Sequence, residues 1–240
     1  MRVVAFDIGV RNLSVAVMVC DNDDWKSLVI EHWQTIDCLT ENDCRVVNSK
    51  YVSTQRLSRM VQQSITNRPY LFQKPVDTIV IEQQPLQRHG VGSARNKIIA
   101  HVVQIVCDMY YRFGLNIDPP PIISQSAKSK LQVNVDPGTF AIDVKKPSKQ
   151  MMDSGADSLT YSDRKKHGIQ LCRRVLANIN CTHPDTARCV EVFRSHPRKL
   201  DDFADCLLHG LFYMQMHAGS EPVIDPYYLD FVRSVFATLG

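Results

Sequence analysis

The chain has 240 residues, 44% of them hydrophobic and 22% charged, a balance too apolar for general disorder and a length that can bury a sizeable core. Its formal net charge of +3 is too small to demand a polyanionic partner, so any nucleic-acid reading must rest on where the basic residues cluster. No apolar run approaches the roughly 20 residues of a membrane span, no presequence is recognisable before the first strand, and the eight cysteines form no CxxC pair; the expectation is a soluble protein in a reducing compartment.

The first segment, Val3 to Phe6, reads as a strand that turns through Ile8, Gly9 and Val10 and returns from Leu13 to Val19 as the second arm of a hairpin. A third strand is expected over 28–36, and Leu57, Met60, Val61 and Ile65 recur at helical spacing in a helix from about Ser53 to Ile65. "DTIVIEQQP" is a β-branched run stopped by Pro85, the mark of a buried strand. A long helix follows from about Ser93 to Phe113, with Gly114 placed as its stop. "PPPIISQ" reads as a further strand.

Residues 132–162 lose periodicity and gain Pro, Gly, Ser and Lys, as expected of a long loop. Its Lys145, Lys146 and Lys149 can track a phosphate backbone, although a solvated loop explains them almost as well. Helices are expected over 163–178 and 202–216, the latter apolar on nearly every face, and "YYLDFVRSVFATLG" reads as one more amphipathic helix. The stretch "CTHPDTARCVEVFRSHP" offers Cys181, His183, Cys189 and His196 as conceivable zinc ligands, but the spacing matches no common module, and buried thiols with surface histidines are the favoured explanation.

Four acids stand out. Asp7 and Glu82 each end an apolar strand, while Asp202 and Asp205, three apart at the start of a buried helix, share one helical face. Gathering four carboxylates is unfavourable unless a cation intervenes. Oxygen-only donors favour a hard ion, Mg²⁺ or Mn²⁺, and two such ions about 4 Å apart suit phosphodiester hydrolysis by activating a water and stabilising the leaving oxygen. Asp7 would be a ligand held on a rigid strand, with Gly9 letting the following turn approach the substrate. Each acid alone is as easily a turn residue, an ion-pair partner or a helix cap; their order along the chain is what joins them.

That order, carried by "FDIGVRNLSVAV", "IVIEQQPLQRHGVGSARNKIIAHVV", "SQSAKSKL" and "KLDDFADCLLHG", resembles the RuvC-like Holliday junction resolvases of the ribonuclease H superfamily, including those of poxviruses, other large DNA viruses and fungal mitochondria. The resemblance covers most of residues 1–215 and implies one α/β ribonuclease H-like domain over 1–240, a mixed five-stranded sheet with helices on both faces. It implies Asp7, Glu82, Asp202 and Asp205 as metal-binding acids and Lys128 as the basic residue near the scissile phosphate. Asp201, one full turn before Asp205, competes with Asp202, and Lys130 competes with Lys128. Arg11, Gln84, Arg88, Lys130, Lys145, Lys146 and Lys149 are the expected DNA contacts.

The implied activity is metal-dependent cleavage of four-way and branched DNA by paired symmetric nicks, with two Mg²⁺ or Mn²⁺ ions per site and a homodimer that presents two sites. A viral source would place the protein in the host-cell cytoplasm or nucleus. Bacterial members stack an aromatic residue just after the catalytic Glu, where this chain has Gln84, Pro85 and Leu86. The competing readings are another nuclease of the same fold and a non-catalytic junction binder. An actin-like or sugar-kinase ATPase is disfavoured, because only ten glycines and no second phosphate loop are present.

Overall fold

The computed structural model describes residues 1–9, 12–21, 27–39, 52–84, 91–115, 117–135, 161–179, 181–195 and 200–218. Five strands, β1 (Arg2–Asp7), β2 (Leu13–Val19), β3 (Val29–Ile36), β4 (Thr78–Gln83) and β5 (Ile122–Ser126), form one sheet in the order β3-β2-β1-β4-β5. β1 pairs antiparallel with β2, and β2 with β3, as two hairpin steps; β4 then joins the other side of β1 in parallel, and β5 joins β4 in parallel. The result is a mixed α/β sheet with helices on both faces.

Side chains alternate between those faces. Val4, Phe6, Leu13, Val15, Val17, Ile79 and Ile81 pack against α1 (Thr54–Thr66) and α2 (Val91–Met109). Val3, Ala5, Ala16, Met18, Ile30 and Val80 pack against α3 (Tyr161–Asn178), α4 (Pro184–Ser195) and α5 (Leu200–Met216). Ser53 caps α1, its hydroxyl accepting from the Arg56 backbone N–H at 3.3 Å and so satisfying one donor that the first turn leaves unpaired.

The central helix of the second face is α5, buried along almost its whole length. It lies close to the sheet because position 210 has no side chain: a Cβ there would stand 2.0 Å from Met18 Cε and 3.1 Å from Ala5 Cβ. Trp33 on the edge strand locks the same layer. Its indole N–H donates to the Phe203 carbonyl at 2.8 Å, and its ring stacks on Phe193 with centroids 4.8 Å apart.

Two expectations change in detail. The long helix is α-helical to Met109 and then widens into a π-helical turn, Tyr110–Leu115, so Gly114 lies within that turn instead of ending a regular helix. Tyr111 there is buried edge-on against Phe72, and Tyr110 is tilted against the same ring. The cysteine- and histidine-bearing stretch is helix α4, whose Thr186, Cys189, Val190 and Phe193 at helical spacing form its buried face. Cys189 is therefore a core thiol, while His183 is exposed with its Nδ1 accepting from the Asp185 N–H at 3.3 Å. His196, most of the loop expected over 132–162 and the helix expected near the end of the chain lie outside the described residues.

The described cysteines are all free thiols. No helix among the described residues is long and apolar enough to cross a membrane.

Candidate active site

The parallel pairing of β1 with β4 runs in register from Val3 opposite Thr78 to Phe6 opposite Ile81, so one further step sets Asp7 beside Glu82. Val3, Ala5 and Val80 face α5, and the two-residue period of a strand turns Asp7 and Glu82 to that same side. β5 extends the row by pairing Glu82 with Gln125, which is buried and whose Oε1 has no hydrogen-bond partner. Three neighbouring strands thus end in polar side chains on one face of an otherwise apolar sheet.

Helix α5 brings a third carboxylate to this edge. Asp205 lies on its second turn, and a fourth element inserts a cation between helix and sheet. The short 3₁₀ helix Ser129–Gln132 after β5 carries Lys130, whose ammonium donates to Asp205 Oδ2 and stands 3.7 Å from Glu82 Oε1. Only 13% of the Lys130 side chain is exposed. Gly168 on α3 makes room: a Cβ there would stand 3.3 Å from Asp205 Oδ1, tight enough to push the carboxylate.

Burial and mutual repulsion dominate the electrostatics. Burial, then the Glu82 charge and the hydrogen bond to Glu82, pushes the Asp7 carboxyl well above the usual range. Burial also acts on Glu82, but the hydrogen bond from Asp7 and the Lys130 charge overcome it and hold Glu82 below its ordinary value. Burial pushes Asp205 up to about 6 even though Lys130 pairs with it, the charges of Glu82 and Asp201 adding to the rise. Burial would lower Lys130, yet the surrounding Asp205, Glu82 and Asp7 keep it above the ordinary lysine value and fully charged.

The residues singled out in the sequence fall into three sets. Asp7, Glu82 and Asp205 lie near enough to act on one another and on Lys130 by their charges, and Lys130 contacts Glu82 and Asp205 directly. Gln84 reaches the edge of the group, its Nε2 donating to Glu82 Oε2 at 3.3 Å. On the first turn of α5, Asp201 pairs with Lys165 of α3 and bears on Asp205 by its charge, while Asp202 is half-buried. Lys128 is exposed at the start of the 3₁₀ turn. Arg11, Arg88, Lys145, Lys146 and Lys149 lie outside the described residues.

Two polar side chains that sequence reasoning passed over belong to the same neighbourhood. Gln125 is one. The other is His209, one helical turn beyond Asp205, wholly buried with neither ring nitrogen hydrogen-bonded. Burial pushes its imidazole down to about 3, so it stays neutral despite the opposing pull of Glu82. A histidine within an apolar helix and a glutamine within an apolar strand look like ordinary interior residues; only the strand register and helix phase reveal where they sit.

Among the described residues no three His, Cys, Asp or Glu side chains converge on one point as a ready metal cage. The Lys130 ammonium stands between Asp205 and Glu82. The donor set itself is all oxygen, buried and short of positive charge, which fits a hard divalent cation and not a thiolate-seeking one.

No protein-family model matches the chain, and no curated protein sequence does. Its structure is similar to the crystal structure of the yeast mitochondrial Holliday junction resolvase Ydc2, with a TM-score of 0.53 and 15% identity over 89% of this chain and 79% of that one. It is likewise similar to Thermus thermophilus RuvC, with a TM-score of 0.51 and 12% identity over 90% of this chain and 96% of that one. A fowlpox virus resolvase in complex with Holliday junction DNA matches with a TM-score of 0.48 and 16% identity over 90% of this chain and 97% of that one. The fold is thus the ribonuclease H-like fold, in the form taken by RuvC-like resolvases.

Proposed function

We propose that this chain is a Holliday junction resolvase, a metal-dependent endonuclease that nicks two opposed strands of a four-way DNA junction. The observation that carries the reading is the meeting of Asp7, Glu82 and Asp205, from two adjacent parallel strands and the helix packed over them, in a fold shared with resolvases.

Asp7, Glu82 and Asp205 would hold Mg²⁺ or Mn²⁺, with Asp201 or Asp202 completing the set. Two ions, when bound, supply a lowered water pKa and neutralisation of the phosphate and leaving oxygen. The chain's own residues do the positioning. Asp7 and Glu82 are fixed by the sheet, so their oxygens hold one geometry through the reaction. Lys130 is the lysine within reach of the acids, and it and Lys128, exposed two residues earlier on the same turn, supply positive charge to the DNA phosphates. Gln84, Arg11, Arg88 and the lysines at 145, 146 and 149 extend that contact along the DNA.

Two sites are needed for two strands, and α2 supplies a surface for a homodimer. Ile105 and Met109 lie one turn apart on its outer side, 51% and 47% exposed, and Leu115 and Ile117 continue the apolar stripe.

The test is cleavage of a labelled immobile four-way junction against a matched linear duplex, with Mg²⁺ and with chelator. Paired nicks at symmetric positions in the junction alone, abolished by chelator, are expected. Equal cutting of junction and duplex would make the protein a general nuclease, and binding without cutting would make it a junction-binding protein.

A further inference from the structure

Lys130 stands where a cation is expected. Its ammonium bonds one carboxylate, lies 3.7 Å from a second and feels the charge of the third. The backbone that carries it is anchored: Leu131, the next residue, is buried, packs close to Gly168 and holds the 3₁₀ turn against α3 and α5. A buried lysine is stable only with its charge paired, and a trio of buried acids only with a counterion, so each compensates the other.

We propose that Lys130 is a tethered counterion that fills the carboxylate site of the free protein and must be displaced before divalent metal can load. The proposal rests on the metal-site reading above and adds a competition that the reading alone does not require. Both cations seek the same oxygens, Asp205 Oδ2 and Glu82 Oε1, and the ammonium cannot stay on them while a small divalent ion takes them up. The displaced ammonium swings outward on its four-carbon stem, on the same short turn as exposed Lys128, where a DNA phosphate can receive it. Junction DNA would then favour the lysine-out state, and metal and DNA would each strengthen the binding of the other. The free protein holds metal weakly and is guarded against idle hydrolysis.

The experiment is calorimetric titration of Mn²⁺, without DNA, into the wild-type protein and into Lys130→Met, which keeps the stem and removes the charge. The variant is expected to bind Mn²⁺ about tenfold more tightly or better. Equal or weaker affinity in the variant, with the wild type still binding, would overturn the competition and leave the metal site standing. Binding to neither would remove both the metal site and the proposal.

Loss of the ammonium can unfold the variant, so a second measurement uses wild-type protein alone. Acylation of Lys130 by an amine-reactive ester, read by mass spectrometry against Lys74, whose side chain is 68% exposed, reports whether the amine is free. Saturating Mn²⁺ should raise Lys130 labelling several-fold and leave Lys74 unchanged; unaltered Lys130 labelling would show that the lysine stays in place and would overturn the proposal.

Discussion

Asp7 and Glu82 end adjacent parallel strands one register step beyond the Phe6–Ile81 pair, close enough that each shifts the other's carboxyl, Asp7 upward and Glu82 downward. The sheet imposes this contact through its register, and the metal-free protein tolerates it at a cost in stability.

Asp7→Asn keeps a donor toward Glu82 and removes an ionisable group from the most buried point of the cluster. The metal-free variant should be more stable than wild type by about 1 kcal/mol, a gain typical of relieving strain at a functional site. Thermal unfolding in chelator at neutral pH checks this; a lower melting temperature would mean that the Asp7 carboxyl itself is structurally needed.

Glu31 on β3 illustrates a purely structural charge. It accepts from Arg2 Nε at 2.9 Å and from Lys74 Nζ at 2.5 Å. Burial pushes its carboxyl up, but the hydrogen bonds from Lys74 and Arg2 overcome this and hold it below the ordinary value. A lowered folded pKa gives stability that is present above the unfolded value, about 4.3, and lost as pH falls through the folded value. Glu31→Gln should therefore cost about 1.5–3 kcal/mol at pH 7, mostly through Arg2 because Lys74 is largely solvated, and progressively less as pH falls below about 4. The difference in melting temperature between the two proteins, followed from pH 7 downward, measures it.

The two close-packed glycines should behave differently. Gly168→Ala gains helix propensity but brings a Cβ to 3.3 Å from Asp205 Oδ1, so stability should hold while cleavage falls roughly tenfold through a displaced carboxylate. Gly210→Ala drives a methyl into Met18 and Ala5 and should lose about 1–3 kcal/mol. Parallel melts and single-turnover rates separate the two outcomes.

Charge placed on the outer face of α2 tests the dimer. Ile105→Glu with Met109→Glu alters only exposed side chains, so the fold should survive, while light scattering should show a monomer and paired nicking should be lost. A dimer that persists would place the interface elsewhere.

Much of this arrangement was legible in the residues. Apolar strands ending in Asp7 and Glu82 can be read from β-branched runs, and the two-residue period then places both acids on the face that α5 covers. Which of Lys128 and Lys130 lies among the acids was not legible, because it turns on one 3₁₀ turn whose phase has no periodic signal. The same holds for Asp201 and Asp202: both fall in the first turn of α5, and the pairing of Asp201 with Lys165 is made by a helix distant in sequence. Helix α4 was not read from the residues, although Thr186, Cys189, Val190 and Phe193 repeat at helical spacing, while a buried thiol and a surface histidine were the favoured reading and hold for Cys189 and His183. Gln125 and His209 gain meaning only from what stands beside them.

The central claim is that Asp7, Glu82 and Asp205 carry the chemistry. Its most direct test is the single-turnover cleavage rate of a four-way junction by Asp7→Asn, Glu82→Gln and Asp205→Asn in Mg²⁺, alongside each variant's junction affinity. Each should lose at least about a thousandfold in rate while binding the junction as well as wild type or better. Wild-type cleavage by any one of them would contradict the account.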